Sequence, residues 1–238
     1  AWECSSDPHA RVMNVRGRCT HLSHKQEHVV DLETEAILSA EIYHGNESDG
    51  NTLLDSVGTA QGNLQQADSE AEIKEAVADK GYHKNETLAK CLSDELRTYI
   101  CEPDGPHRRW TDKPDEYESA YRANRQRLKG DRNKRLQKLR CERVERSFAH
   151  VCETGGARRT WLRGLENNRK KVRLTVAAHN LGLILRKLLG SGKPREFAGL
   201  CGQLLSLYLA LQLATSRLYR SGIAPCSINR LRRCSTHF

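Results

Sequence analysis

The sequence predicts a mixed α/β fold that gives way to a basic, helical C-terminal half. Three observations predict it. The first hundred or so residues alternate β-branched, apolar stretches with stretches of helical period, in the order β-β-α-β-α-β. A breaker-rich loop at 103–114 then opens a region of consecutive helical patterns. Charge divides at the same place: residues 1–106 carry 9 Lys/Arg against 20 Asp/Glu, a net −11. Residues 107–173 carry 21 against 9, a net +12, and residues 174–238 carry 9 against 1, a net +8.

Residues 1–20 are polar and read as irregular. His24 to Leu32 and Ala36 to Tyr43 are rich in β-branched and apolar residues and read as a hairpin, turning through Asp31 to Glu35. Thr52 to Gln66 places Leu53, Leu54, Val57, Ala60 and Leu64 at a helical period. Ile73 to Ala78 is a short strand that ends at Asp79, with Gly81 easing the turn. Glu86 to Leu96 reads as a helix capped by Asn85, and Thr98 to Cys101 as a strand stopped by Pro103. A long helix is predicted over Tyr117 to Cys152, with a break at Gly130 and a firm end at Thr154-Gly155-Gly156. Asn168 to Leu189 is again helical, basic first and apolar later.

A chain of 238 residues suits one large domain with an appendage. The formal charge of +9, concentrated beyond residue 106, points to a polyanionic partner, nucleic acid before an anionic membrane surface. The cysteines at 4, 19, 91, 101, 141, 152, 201, 226 and 234 form no CxxC pair, so zinc-ribbon and thioredoxin-like motifs are excluded. An odd, scattered set fits reduced thiols in a cytoplasm. The start Ala1-Trp2-Glu3-Cys4-Ser5-Ser6 lacks the basic and apolar regions of a signal peptide. No P-loop, GxGxxG or GxSxG occurs, which removes nucleotide-binding and serine-hydrolase classes. Phe197 to Ser216 carries no charge, as a membrane span would require. Its Gly, Gln and Ser content, and a seam through Leu200, Leu204, Leu207 and Leu211, favour a packed or partner-binding helix. His21, His24 and His28 suggest zinc, but His21 and His24 would point to opposite faces of a strand.

The candidate chemistry lies in two carboxylates. Asp79 stands at the end of an apolar run, in Ala76-Val77-Ala78-Asp79-Lys80-Gly81-Tyr82-His83. Glu145 lies on a very basic helix, in Val144-Glu145-Arg146-Ser147-Phe148-Ala149-His150, followed by Thr154-Gly155-Gly156-Ala157-Arg158-Arg159 and Arg163-Gly164-Leu165-Glu166-Asn167. Ala178-His179-Asn180-Leu181-Gly182-Leu183 follows. Together these segments resemble the second and third acidic regions and closing helix of DDE transposases, the enzymes that move bacterial insertion sequences. The resemblance covers nearly the whole chain. It implies a ribonuclease-H-like mixed sheet with flanking helices, and the β-β-α-β-α-β order agrees with that independently. It also implies metal-dependent DNA strand cleavage and transfer. Mg²⁺ or Mn²⁺ would be held by Asp79 and Glu145 as catalytic ligands in a two-metal site, with ions roughly 3.5–4 Å apart. Hard carboxylate oxygens converging from a strand end and a helix are the donors Mg²⁺ requires.

Two departures bear on activity. The family's first Asp lies on a strand that would precede Ala1, so the N-terminal strand of the fold is expected to be missing and the chain to be a truncated, catalytically impaired C-terminal part. Asp31 falls in the hairpin turn and reads as structural, and Asp7 and Asp49 have no better claim. Cys152 stands seven residues after Glu145, where many relatives carry a Lys, and a thiol cannot supply that cation. The alternative is a non-catalytic, basic DNA-binding remnant.

Residues 107–146 carry Arg or Lys around most of a helix circumference, with too few local acids to neutralise them, which suggests a phosphate track. Arg108, Arg109, Arg158, Arg159 and Arg163 are the expected DNA contacts. Trp110 and Trp161 sit beside them, each placed equally well to stack on a base or to pack in a core. The predicted organisation is a partial catalytic domain over 1–189, with a basic loop insertion at 103–117, and a basic helical tail over 190–238. The expected partners are DNA ends and target DNA, with a homodimer when complete and no membrane.

Overall fold

The hairpin forms as the alternation requires. In the computed structural model, which describes residues 4–13, 19–105, 108–190 and 194–220, β2 (His21–Val30) pairs antiparallel with β3 (Ile37–His44), with an irregularity between Val29 and Val30. Asp31 opens the turn, its carboxylate accepting from the Glu33 N–H at 3.2 Å and the Thr34 N–H at 3.0 Å. This is the structural role its position predicts. Residues 1–20 are not wholly irregular: β1 (Arg11–Met13) adds to the start of β2. Three residues are too few to show a period, which is why the pattern hid it.

After β3 come α1 (Asp49–Gln66), β4 (Glu75–Ala78), α2 (Asn85–Ser93) and β5 (Arg97–Ile100). The order matches the reading, with one correction at a helix end. Lys84, not Asn85, is the N-cap of α2, and no side chain caps it. The strands also form two sheets where one mixed sheet was expected. β1-β2-β3 is antiparallel, and β4 and β5 make a separate parallel pair, Ala76 opposite Thr98 and Ala78 opposite Ile100.

Two apolar clusters hold these pieces. One joins Leu53, Ala78, Leu88, Cys91, Leu96, Ile100 and Ala120, so that α1, α2 and α3 (Asp115–Leu128) cover the parallel pair. The other joins Ile37, Ala40 and Ile42 of β3 to Val151, Val172 and Val176. Each cluster is bordered by a side-chain amide that completes a strand. Asn124, fully buried, accepts from Ile100 N–H at 3.2 Å and donates to Ile100 C=O at 2.9 Å. Asn180 treats Ile37 the same way, at 3.0 and 2.8 Å. A strand edge presents unpaired N–H and C=O groups, and both amides satisfy them as a neighbouring strand would.

The long basic helix is interrupted more than its sequence shows. Gly130 does break it, leaving α3 and α4 (Asp131–Leu139). Beyond α4 the chain winds as a π turn over Arg140–Val144, an α turn α5 (Glu145–Ala149), and a second π turn over His150–Thr154. The last closes with Gly155 N–H donating to His150 C=O at 3.1 Å, and α6 (Leu165–Leu189) follows.

The chain divides into two compact units, Ala1–Leu183 and Ile184–Phe238. The second contains α7 (Pro194–Arg220), whose residues 201–216 are all exposed, Leu204, Leu207 and Leu211 among them. No helix among the described residues is long and apolar enough to cross a membrane.

Candidate functional site

Asp79 is delivered by β4. Its backbone is extended, and it caps a short 3₁₀ turn over Lys80–Tyr82 by accepting the Lys80 N–H at 2.8 Å. The carboxylate is exposed and enters no ion pair among the described residues. What fixes the turn lies beneath it. Gly81 lies against the Asp49 carboxylate, which would have to move aside for a side chain there.

Asp49 belongs to a buried polar group that the sequence reading missed. Lys25 donates to Asp49 at 2.8 Å, Glu27 at 2.5 Å and Thr52 at 3.0 Å. Glu27 also accepts from Ser56 at 2.8 Å. Burial, then the charges of Glu27 and Asp49, push the Tyr82 hydroxyl well above its ordinary range. The available signal was the pair Lys25 and Glu27, two residues apart on one face of a strand otherwise facing a core.

Glu145 begins the α turn between the two π turns. Such turns re-aim side chains and occur often at functional sites. Glu145 is exposed and enters no ion pair among the described residues, although Arg143 and Arg146 flank it. Both arginines turn to Glu35 instead, at 3.7 and 2.5 Å. The two predicted ligands are therefore alike: exposed carboxylates not neutralised by any described cation. No hydrogen bond or ion pair joins them. Among the described residues no group of three or more His, Cys, Asp or Glu is arranged to hold a metal ion. The donor type suits Mg²⁺; the number of donors falls short of a closed site.

The basic surface is smaller than its sequence suggests. Arg122 pairs with Glu118, Arg125 with Glu102, Arg132 with Glu75, and Lys134 with Asp131. Two of these four acids, Glu75 and Glu102, come from the acidic N-terminal half, where a count of local acids does not reach. Arg108 is half-buried, bonded to Asn85 and to His83 at 3.1 Å, and lies over Tyr121 at 4.9 Å. Arg158 pairs with Glu153. Arg109, Arg159 and Arg163 are exposed and enter no ion pair among the described residues, as are Lys129, Arg135 and Lys138. Trp110 packs on Tyr121 at 5.0 Å, whereas Trp161 is 84% exposed.

Cys152 is buried, and burial pushes its thiol above the usual range. Cys4, Cys19, Cys91, Cys101, Cys141, Cys152 and Cys201 are all free. Neither His24, bonded to Asp7 at 3.0 Å, nor His28, bonded to Gln26 at 2.5 Å, belongs to a metal-holding group among the described residues.

Residues 61–185 match the family model of a transposase DDE domain. The chain belongs to the DDE transposase family. The match spans more than half of the 238 residues, and its limits enclose Asp79, the 3₁₀ turn, Glu145 and both π turns. The β1-β2-β3 sheet and the Lys25 group's strand residues lie outside the matched DDE segment. No curated protein and no solved structure matches the chain.

Proposed function

We propose that the chain acts in DNA transposition, through metal-dependent DNA strand cleavage and transfer on a ribonuclease-H-like scaffold. The observation that carries this reading is the pair Asp79 and Glu145: both fall within the matched DDE segment, and both remain exposed and without a described cation. Arg143 and Arg146, the arginines next to Glu145 in the chain, pair with Glu35 instead. Asp79 and Glu145 would hold Mg²⁺ or Mn²⁺, which when bound supplies charge stabilisation at the attacking and leaving oxygens of a phosphodiester. Arg109, Arg159 and Arg163 would contact DNA phosphates, and a homodimer would pair two element ends.

Nicking by the chain alone is expected to be weak, because the described residues offer no third ligand beside these two. That same observation favours a second reading, a basic DNA-binding remnant without chemistry. The deciding experiment is Mg²⁺- or Mn²⁺-dependent nicking of a labelled DNA end, with Asp79→Ala and Glu145→Ala as controls. Nicking lost in both variants supports the enzyme. Salt-sensitive binding without nicking supports the remnant, and absence of DNA binding overturns both.

A further inference from the structure

We propose that Trp161 is a stacking platform for an unpaired nucleobase at a DNA end; this rests on the DNA-transposition reading above. The segment 155–164 that carries it is fastened along its whole length. Gly155 sits against Thr175 and the Val151 carbonyl with no room for a side chain. Ala157 and Arg158 N–H donate back to the carbonyls of Val151 and Cys152, each at 3.2 Å. Lys171 donates to the carbonyls of Gly156 at 2.9 Å and Arg159 at 2.6 Å. The buried Asn168 donates to Leu162 C=O at 3.2 Å and Gly164 C=O at 2.8 Å. Asp7 and His9 accept the N–H groups of Gly164 and Leu165, at 3.1 and 3.3 Å.

A segment held this closely has every means to tuck in an indole, yet Trp161 stands 84% exposed. The Lys171 ammonium lies 4.8 Å from the ring centroid, engaging the ring while it pins the carbonyls. What remains is a broad π surface, with Arg159 and Arg163 two residues away along the chain on either side, both exposed and without ion-pair partners among the described residues. A ligand that fits offers a flat aromatic face and an adjacent negative charge. A nucleotide with its base unstacked offers both, and base–aromatic stacking tolerates any base identity. A base within an intact duplex does not, because its faces are already covered.

The test uses the full chain with Trp2→Phe and Trp110→Phe, leaving Trp161 as the sole indole. Its fluorescence is followed during titration with a blunt duplex and with the same duplex carrying a single-stranded overhang. The expected result is quenching by the overhang DNA alone. Trp161→Ala should then weaken overhang binding roughly 5- to 150-fold while blunt-duplex affinity stays unchanged, and Trp161→Phe should retain most of the affinity. Because the ring is exposed, the Ala variant removes little packing, and an unchanged melting temperature would show that. Equal quenching by both DNAs, or Trp161→Ala binding the overhang as tightly as its parent, overturns the stacking role and leaves DNA binding intact. Binding of neither DNA by the parent overturns the underlying reading, and with it this one, and would make a protein the better partner for Trp161.

Discussion

Asn180 pairs both ends of its side-chain amide with the backbone of a single residue, Ile37, 143 positions earlier in the chain. The helix thereby docks on β3 by supplying the hydrogen bonds of a missing neighbour. Asn180→Leu keeps the volume but leaves the Ile37 N–H and C=O without partners. It should cost about 2 kcal/mol, read as a lower urea midpoint with an unchanged slope.

Cys152 occupies core space. Cys152→Lys, the change that would place a cation in this region, should lower stability by several kcal/mol, since a buried ammonium lacks a counter-charge. Cys152→Ala should stay near about 1 kcal/mol. Thermal unfolding of the two variants separates them. Comparable losses would contradict the burial.

Lys25 serves Glu27 and Asp49 together. Lys25→Met retains the stem but leaves two acids without their cation, and should cost about 3–5 kcal/mol. Because the Asp49 carboxylate lies against Gly81, the variant should also increase hydrogen exchange at the Lys80–Tyr82 turn.

Burial, and secondarily the charge of His179, hold the His28 pKa down, at about 4 against an ordinary 6.5. The folded state therefore refuses a proton that the unfolded chain accepts below that ordinary value. Stability should fall as pH drops from about 6.5 to about 4, by at most about 1.4 kcal/mol per pH unit from this group. His28→Phe should remove that part of the slope in urea titrations across the same window.

The arginines divide by their partners. Arg159→Ala and Arg163→Ala should each reduce the slope of log affinity against log salt by about 0.9. Arg158→Ala, whose parent side chain is held by Glu153, should change it less. Filter-binding at a series of salt concentrations measures all three.

The fold was legible wherever a period was long enough to read. The β2–β3 hairpin, α1 and the β4-α2-β5 unit follow from alternation, helical spacing and Pro103. The break at Gly130 follows from a breaker residue. β1 escaped because three residues carry no period. The π turns escaped because they differ from an α-helix by one residue in register, which no composition reports. The residues around Asp79 and Glu145 carry the family resemblance, and both stretches fall within the matched DDE segment. The reduced basic surface was legible only in part, because some of its acids lie far away in sequence: Glu75 is 57 residues from Arg132, and Glu35 is 111 from Arg146. For the same reason local pattern could not tell Trp110, which packs, from Trp161, which does not.

The π turns on either side of Glu145 make its direction a matter of phase. Each winds with one more residue per hydrogen-bonded loop than an α turn. Rewinding Arg140–Val144 as regular α-helix, with every residue kept, would leave the chain helical. The carboxylate, however, would swing by about 100° around the axis, away from whatever it now addresses. The helix is thus indifferent to such a rewinding in composition and helicity, while the side chain it carries is not.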